Sequence, residues 1–283
     1  MSNNIKIKEY KNGVEIKNTD ISLEKTFTCG QCFRWHEKDG KWFGIVNGSC
    51  ECLTQLDNGI YIENTDICKV NDFWLNYLDI NDEDDSFQGD PNDVFLNRAI
   101  TYGKGIHILN QDPFETIVSF IISSNNNIKR IEKIIEKLCS LYGKEIRYAD
   151  TVFYSFPTFE ELSGVKLEDL ALIKAGFRDR YIFDFIQVMK SEPDFISHVS
   201  SAETGLAKKE LMRVKGIGDK VSDCILLFAF GRREVFPKDV WIKKVIDKIY
   251  GSDFDEKKFG NHAGIAQQYI YYYARLGEGD ILS

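Results

Sequence analysis

Proline is scarce in this chain, five in 283 residues. With 43% hydrophobic residues, that scarcity excludes a Pro-rich disordered polymer and leaves a folded globular protein. No apolar run approaches the ~18–20 residues that span a bilayer, so no membrane association is expected. The opening residues, MSNNIKIKEYKNG, lack the apolar core of a secretory signal. Seven cysteines without such a signal are expected to be reduced thiols in a cytoplasm. The odd count leaves at least one without an intrachain partner. The four histidines, His36, His107, His198 and His262, show no metal-binding spacing. Positive charge is in deficit too, with a net charge of −8.

That deficit is not uniform, and phosphate contact depends on local charge. Gly205–Tyr250 holds 11 Lys+Arg against 6 Asp+Glu, a local excess of +5. Much of the acid sits elsewhere, as in DINDEDD (Asp79–Asp85). That run lacks the EF-hand glycine at its sixth position and reads as a solvated loop.

The length accommodates two domains. Residues 1–105 are expected to form a β-rich domain. Lys41–Val46, Glu51–Leu56 and Gly59–Glu63 alternate in part and are separated by Gly, Asn and Asp. DFWLNYL (Asp72–Leu78) reads as a short helix. Residues 106–283 are expected to be almost all α. Asp112–Pro113 is a helix start, and Asn125–Asn127 breaks that helix. Ile128, Ile131, Ile134, Ile135 and Leu138 then recur at helical spacing. Further helices fit Leu162–Lys174, Arg180–Lys190, Ala207–Val214, Asp219–Phe230, Val240–Tyr250 and His262–Leu276. The fold class is therefore α+β, an antiparallel sheet domain followed by a helical one. No internal repeat or low-complexity linker is found.

One stretch concentrates the chemistry, LMRVKGIGDKVSDCILLFAFGRREVFPKDVWIKK (Leu211–Lys244). It reads as a helix, a Gly216-Ile217-Gly218 turn, a second helix, and a Pro237-led turn delivering Asp239. The helical hairpin covers about residues 207–230. Free N–H groups at the second helix's N-terminus form an anion site, and Lys215 adds charge. A duplex phosphate fits there, positioning DNA without reading sequence. The same turn also serves as a plain helix connector. Lys220 lies in the first turn of that second helix, where the dipole disfavours an ammonium. Burial would lower its pKa further, and a neutral amine can attack a sugar carbon. The plainer alternative is a surface lysine. Asp239 is a good N-cap for the following helix. A carboxylate held there could also stabilise an oxocarbenium ion, and the two roles are compatible.

The helix–GxG–helix, lysine and Pro-led aspartate resemble the helix-hairpin-helix DNA glycosylase superfamily. CGQCFRW (Cys29–Trp35), QDPFETIVSFIISSNNNIKRI (Gln111–Ile131) and AGIAQQYIYYYARL (Ala263–Leu276) narrow the resemblance to the 8-oxoguanine DNA glycosylases/AP lyases. The resemblance covers most of the chain, including the β-rich N-terminal part. It implies a bifunctional repair enzyme that flips and excises 8-oxoguanine through a lysine Schiff base, then cleaves the strand by β-elimination.

By position, the resemblance makes Lys220 the nucleophile and Asp239 the catalytic aspartate. It places Cys224 and Tyr271 on opposite faces of the flipped base, Gln267 on its Watson–Crick edge, and Pro237 in the base pocket. It makes the Gly30 carbonyl the acceptor that recognises the extra N–H of 8-oxoguanine. Guanine would leave that carbonyl facing a lone pair. Asn125, Arg130, Phe177 and Arg178 match residues that fill the gap and meet the orphaned cytosine. Lys215, Gly216, Gly218 and Trp241 match the phosphate-contacting set. Phe177 replaces the family's usual tyrosine, keeping a stacking face without its hydroxyl. Trp241 replaces a histidine that contacts the DNA backbone. Read without the resemblance, Cys224 is a core cysteine, Asn125–Asn127 a helix-breaking turn and Arg130 a surface arginine.

Cys29-x-x-Cys32 with Cys50-x-Cys52 raises zinc as an alternative. Cys29–Trp35 is already taken up by the base pocket. Cys50 and Cys52 alternate in a strand pattern that core packing also explains. The iron–sulfur cluster of some superfamily members has no matching C-terminal cysteines, since Cys224 alone follows Cys139. An alkali or alkaline-earth ion on the hairpin main chain stays open. No cofactor or metal is expected. The expected partner is double-stranded DNA containing 8-oxoguanine, bound by a monomer in the cytoplasm beside the nucleoid. The rival readings are a monofunctional glycosylase for another damaged base and a non-catalytic helix-hairpin-helix DNA-binding protein.

Overall fold

The computed structural model describes residues 5–80 and 87–277. Most of the acidic DINDEDD run, residues 81–86, lies outside the described residues. At its edge, the Asp79 carboxylate pairs with Arg233 at 2.7 Å.

Six strands form one antiparallel sheet: β1 (Lys6–Tyr10), β2 (Gly13–Lys17), β3 (Trp35–Lys38), β4 (Lys41–Val46), β5 (Ser49–Leu56) and β6 (Gly59–Glu63). Their order is β1-β2-β6-β5-β4-β3. Tight turns at Asp39–Gly40 and Asn47–Gly48 join β3 to β4 and β4 to β5. Val14 pairs with Ile62, Ile16 with Ile60, and Leu53 with Ile62. Those five side chains are fully buried, so one face of these strands carries the core. β1, β2 and β3 were not among the expected strands.

The chain divides into two compact units. One comprises Met1–Gln31, Leu53–Asn110 and Gly231–Ser283; the other comprises Cys32–Cys52 and Gln111–Phe230. In the first, the helix Val94–Gly103 packs on Ala263–Leu276. Ala99, Ala263, Ala266 and Ala274 keep the packing surface shallow, and Phe236, Ile242, Val245 and Phe259 complete the cluster. A side chain at Gly103 would collide with Tyr269, so these two helices meet almost backbone to ring. The helix Val94–Gly103 was not anticipated.

In the second unit, Pro113–Ser123 is the central helix, buried from Thr116 through Ile122. Asp112 caps it by accepting from the Glu115 N–H at 2.8 Å, with Pro113 in its first turn. Asn127 caps the next helix, Ile128–Tyr142, by accepting from the Arg130 N–H at 3.1 Å. Leu162–Lys174 is not one helix. Gly164 ends Phe159–Ser163, a new helix runs Leu167–Leu170, and a 3-10 turn, Ala171–Ile173, closes into a left-handed Lys174. A two-stranded hairpin, β7 (Glu145–Tyr148) with β8 (Thr151–Tyr154), interrupts the helical part.

Candidate active site

The hairpin consists of Thr204–Met212, a turn, and Asp219–Phe230. Within the turn, Ile217 is buried and anchors the loop, while the flanking glycines do different work. Gly216 has φ +95°, and a Cβ there would meet the Tyr181 ring at 2.4 Å. At Gly218 an added Cβ would meet nothing within 4 Å, so that side of the turn is open. Lys215 is exposed beside it. Lys208 on the first helix pairs with Asp219 at 2.8 Å and with Asp223 at 2.7 Å, bracing the two helices together.

Lys220 is half-buried in the first turn of the second helix. Its Nζ lies 5.5 Å from the centre of the Phe120 ring. Phe120 is itself buried, stacked on Phe228 and set edge-on to Phe33. The amine therefore rests on an aromatic floor that excludes water from one side. Cys224, one turn further along, is buried.

The candidate gap-filling residues surround one turn of the same unit. Asn125 is exposed with φ +49°, a left-handed conformation that asparagine tolerates. Asn126 donates to the Ile122 carbonyl at 3.1 Å and finishes the preceding helix. Asn127 starts the next one. Arg178 is only 3% exposed. Its guanidinium donates to the carbonyls of Ser124 at 2.7 Å, Asn125 at 2.7 Å and Ala175 at 3.0 Å. Burial and the nearby Arg130 charge push its pKa below the ordinary value. The Phe177 ring, 54% exposed, covers Arg178 with its centre 4.4 Å from Cζ. Arg178 thus braces the turn and the aromatic, and any base contact would use the N–H groups left over. Arg130 is exposed.

The other unit carries the remaining candidates. Asp239 caps the helix Val240–Val245, its Oδ1 accepting from the N–H groups of Trp241 at 3.0 Å and Ile242 at 2.9 Å. Those two donors and the helix N-terminus stabilise a negative charge there. Pro237 is buried, and Trp241 is half-buried with Lys244 Nζ 5.0 Å above its ring. Gly30 has φ +83°; a Cβ there would sit 3.2 Å from the Tyr271 hydroxyl oxygen. The structure so brings Gly30 and Tyr271 together, and Arg275 donates to that hydroxyl at 3.2 Å. Gln267 is 3% exposed and accepts from Gln268 at 2.8 Å. Phe120, Lys208 and Gln268 escaped sequence reasoning. Phe120 lies within a continuous apolar run, where nothing marks one member as the floor of a site.

Among the described residues, no three His, Cys, Asp or Glu side chains cluster in a way that could hold a metal ion. Burial pushes the Cys29 thiol up to about 12, and the Cys50 thiol up to about 11.

A helical hairpin carrying a lysine, with a capped aspartate on a following helix, defines a class of base-excision proteins. Residues 118–263 match the HhH-GPD superfamily base excision DNA repair protein model. Residues 13–117 match the model for the 8-oxoguanine DNA glycosylase N-terminal domain. The Clostridium acetobutylicum 8-oxoguanine glycosylase/lyase, solved with DNA, is 32% identical with a TM-score of 0.87, covering 95% of this chain and 97% of that one. MBOgg1, solved with a low-affinity DNA ligand, is 34% identical with a TM-score of 0.89, covering 96% and 98%. The Arabidopsis thaliana N-glycosylase/DNA lyase OGG1 is 27% identical over 290 aligned residues, 91% of this chain and 78% of the relative. The chain belongs to the 8-oxoguanine DNA glycosylase family of the helix-hairpin-helix superfamily.

Proposed function

We propose that this protein flips 8-oxoguanine out of duplex DNA, excises it with Lys220 as nucleophile, and then cuts the strand by β-elimination. The Clostridium acetobutylicum relative, solved on double-stranded DNA with cytosine opposite 8-oxoguanine, supports the substrate. The observation that carries the mechanism is Lys220 at the head of the hairpin's second helix, half-buried on the Phe120 ring.

A stacked duplex shields the anomeric carbon, so the nucleotide must leave the stack, at a cost of a few kcal/mol. Neutral Nζ attacks C1′. The C1′–N9 bond breaks, and the base leaves with the electron pair and takes the proton shed by nitrogen. The nitrogen lone pair then expels O4′, which takes that proton from the base, leaving a protonated Schiff base and a deprotonated base. Loss of a proton from C2′ breaks the C3′–O bond; the freed base can carry that proton. Asp239 stabilises the positive charge that develops on the sugar.

In this reading the Gly30 carbonyl selects the 8-oxo form. Cys224 and Tyr271 flank the base, Pro237 lines its pocket, and Gln267 reads its edge. Asn125, Arg130, Phe177 and Arg178 fill the gap. Lys215, Gly216, Gly218 and Trp241 hold phosphates. The protein acts as a monomer on DNA in the cytoplasm.

Lys220→Gln is expected to bind an 8-oxoguanine duplex normally, to lose excision by at least about 10³-fold, and to give no borohydride-trapped adduct. Retained excision would remove the amine mechanism. Asp239→Asn should slow single-turnover excision by about 10²–10³-fold; an unchanged rate would leave it a helix cap.

A further inference from the structure

The helix Asp219–Phe230 opens Asp219-Lys220-Val221-Ser222-Asp223, with two carboxylates within one turn of the lysine proposed as nucleophile. Asp223, three positions after Lys220, is its neighbour on the helix surface. Asp219, one position before, lies about 100° around the axis. Two negative charges there favour the ammonium form of Lys220, and an ammonium cannot attack C1′. The positive end of the helix dipole works the other way, with about half an elementary charge. It cannot offset two full ones.

A third charge answers them. Asp219 and Asp223 are four apart and share one face of the helix. Lys208, on the preceding helix Thr204–Met212, sets its Nζ 2.8 Å from Asp219 Oδ1 and 2.7 Å from Asp223 Oδ1. Lys208 is half-buried and Asp223 buried, so water screens this cluster less than a surface pair. Burial works against the Lys208 charge, but the hydrogen bonds and charges of the two carboxylates outweigh it and hold its pKa above the ordinary value. Lys208 is therefore a cation at neutral pH.

The other groups around Lys220 do not replace it. Helices Pro113–Ser123 and Thr204–Met212 pack on its helix. The first offers Phe120, which has no charge, and Glu115, which Arg34 engages at 3.4 Å. The second offers, besides Lys208, the exposed Lys209, and Glu210, which pairs with Arg213. Cys224 is buried on Lys220's own helix, and Lys215 is exposed in the turn. Asp239, which the proposed mechanism sets at the same sugar, adds negative charge.

We propose that Lys208 is a positioning residue for the reaction: its ammonium offsets the two carboxylates beside Lys220 and keeps the Lys220 amine available in its neutral form. This rests on the reading of Lys220 as the nucleophile.

A brace between the two helices would use the same contacts, so the test turns on sign. Lys208→Met removes a positive charge near Lys220 and Asp219→Asn a negative one, yet both break the same bridge. Lys220 is followed across pH in two ways: labelling of its amine by acetic anhydride, quantified by peptide mass spectrometry, and single-turnover excision of 8-oxoguanine. In Lys208→Met the labelling midpoint should move to higher pH. Excision on the acid limb should fall about threefold, the effect of one partly screened charge, and should match the wild type on the plateau. In Asp219→Asn both profiles should move to lower pH. Lys208→Arg keeps the charge and should keep both profiles. Asp219 is exposed, so its variant serves if Lys208→Met folds poorly. Midpoints that stay in place, or move in the same direction in both variants, would overturn the proposal and leave Lys208 a brace. Labelling that moves as expected while excision does not follow would overturn the reading of Lys220 as nucleophile, and the proposal with it.

Discussion

Arg178 serves several neighbours with one side chain. Its three hydrogen bonds reach the carbonyls of Ser124, Asn125 and Ala175, and its upper face carries Phe177. Ser124 and Asn125 follow the end of the Pro113–Ser123 helix, where carbonyls lack intrahelical donors and a positive charge is favoured. Removing the guanidinium would strand the buried Ala175 carbonyl and take the charge away from the half-buried Ser124 and exposed Asn125 carbonyls. Arg178→Ala should therefore lower unfolding free energy by about 3 kcal/mol, within the range for losing a buried charged hydrogen-bonding group. Arg130 is exposed, so Arg130→Ala should change stability by no more than about 0.5 kcal/mol while altering the preference for cytosine opposite the lesion. Urea denaturation of both variants decides the first point. Equal stabilities would mean that Arg178 does not brace the turn.

At the scale of elements, the hairpin separates residues that shape the turn from the residue proposed to face a phosphate. Gly216→Ala must place a methyl against Tyr181 in a left-handed backbone, at a cost of about 2 kcal/mol or more. Lys215→Ala removes only an exposed charge. It should leave stability alone and make the slope of log binding constant against log salt shallower by about one. An unchanged slope would take Lys215 out of the phosphate contact. The second helix, Asp219–Phe230, was legible to the residue because an acidic start and a long apolar stretch agree there. Leu162–Lys174 was not, because its apolar spacing ignored Gly164 and a capping box in which Thr158 and Glu161 bond reciprocally. The β7–β8 hairpin was invisible because its strands are short and none of their side chains is fully buried; β7 does alternate exposed with half-buried residues, but over too few positions to stand out. Edge strands β1 and β3 share that weakness, each with mostly exposed side chains. The positions of Lys220 and Asp239 could be read from a motif. The Gln268–Gln267 bond and the Lys208 brace could not, since both depend on which polar side chains meet in space.

Across the larger span of the chain, residues 20–31, which deliver Gly30, are tied to residues 102–109 by polar contacts over long sequence separations. Ser22 N–H donates to the Gly105 carbonyl at 2.8 Å, and Lys25 Nζ donates to the carbonyls of Tyr102 at 2.8 Å and Lys104 at 3.0 Å. Gln31, fully buried, donates to the His107 carbonyl at 2.7 Å and accepts from the Leu109 N–H at 2.8 Å. One of these ties titrates. Asp20 Oδ1 lies 3.1 Å from His107 Nε2, and this hydrogen bond, opposed by partial burial and helped by the histidine's charge, holds the Asp20 carboxyl below its ordinary value of 3.8. A carboxyl depressed in the folded state binds its proton more readily when unfolded. Its contribution is therefore complete above the unfolded value and lost as pH falls through the folded one. Asp20→Asn should accordingly melt below the wild type near pH 7, and the gap should close as the pH falls below the ordinary carboxyl value of 3.8. The effect should be small, because the carboxylate is half-exposed and screened. Melting curves of the two proteins across that range would check it. A gap that stayed constant into acid would show that Asp20 acts through shape alone, and that the tie between these segments does not depend on its charge.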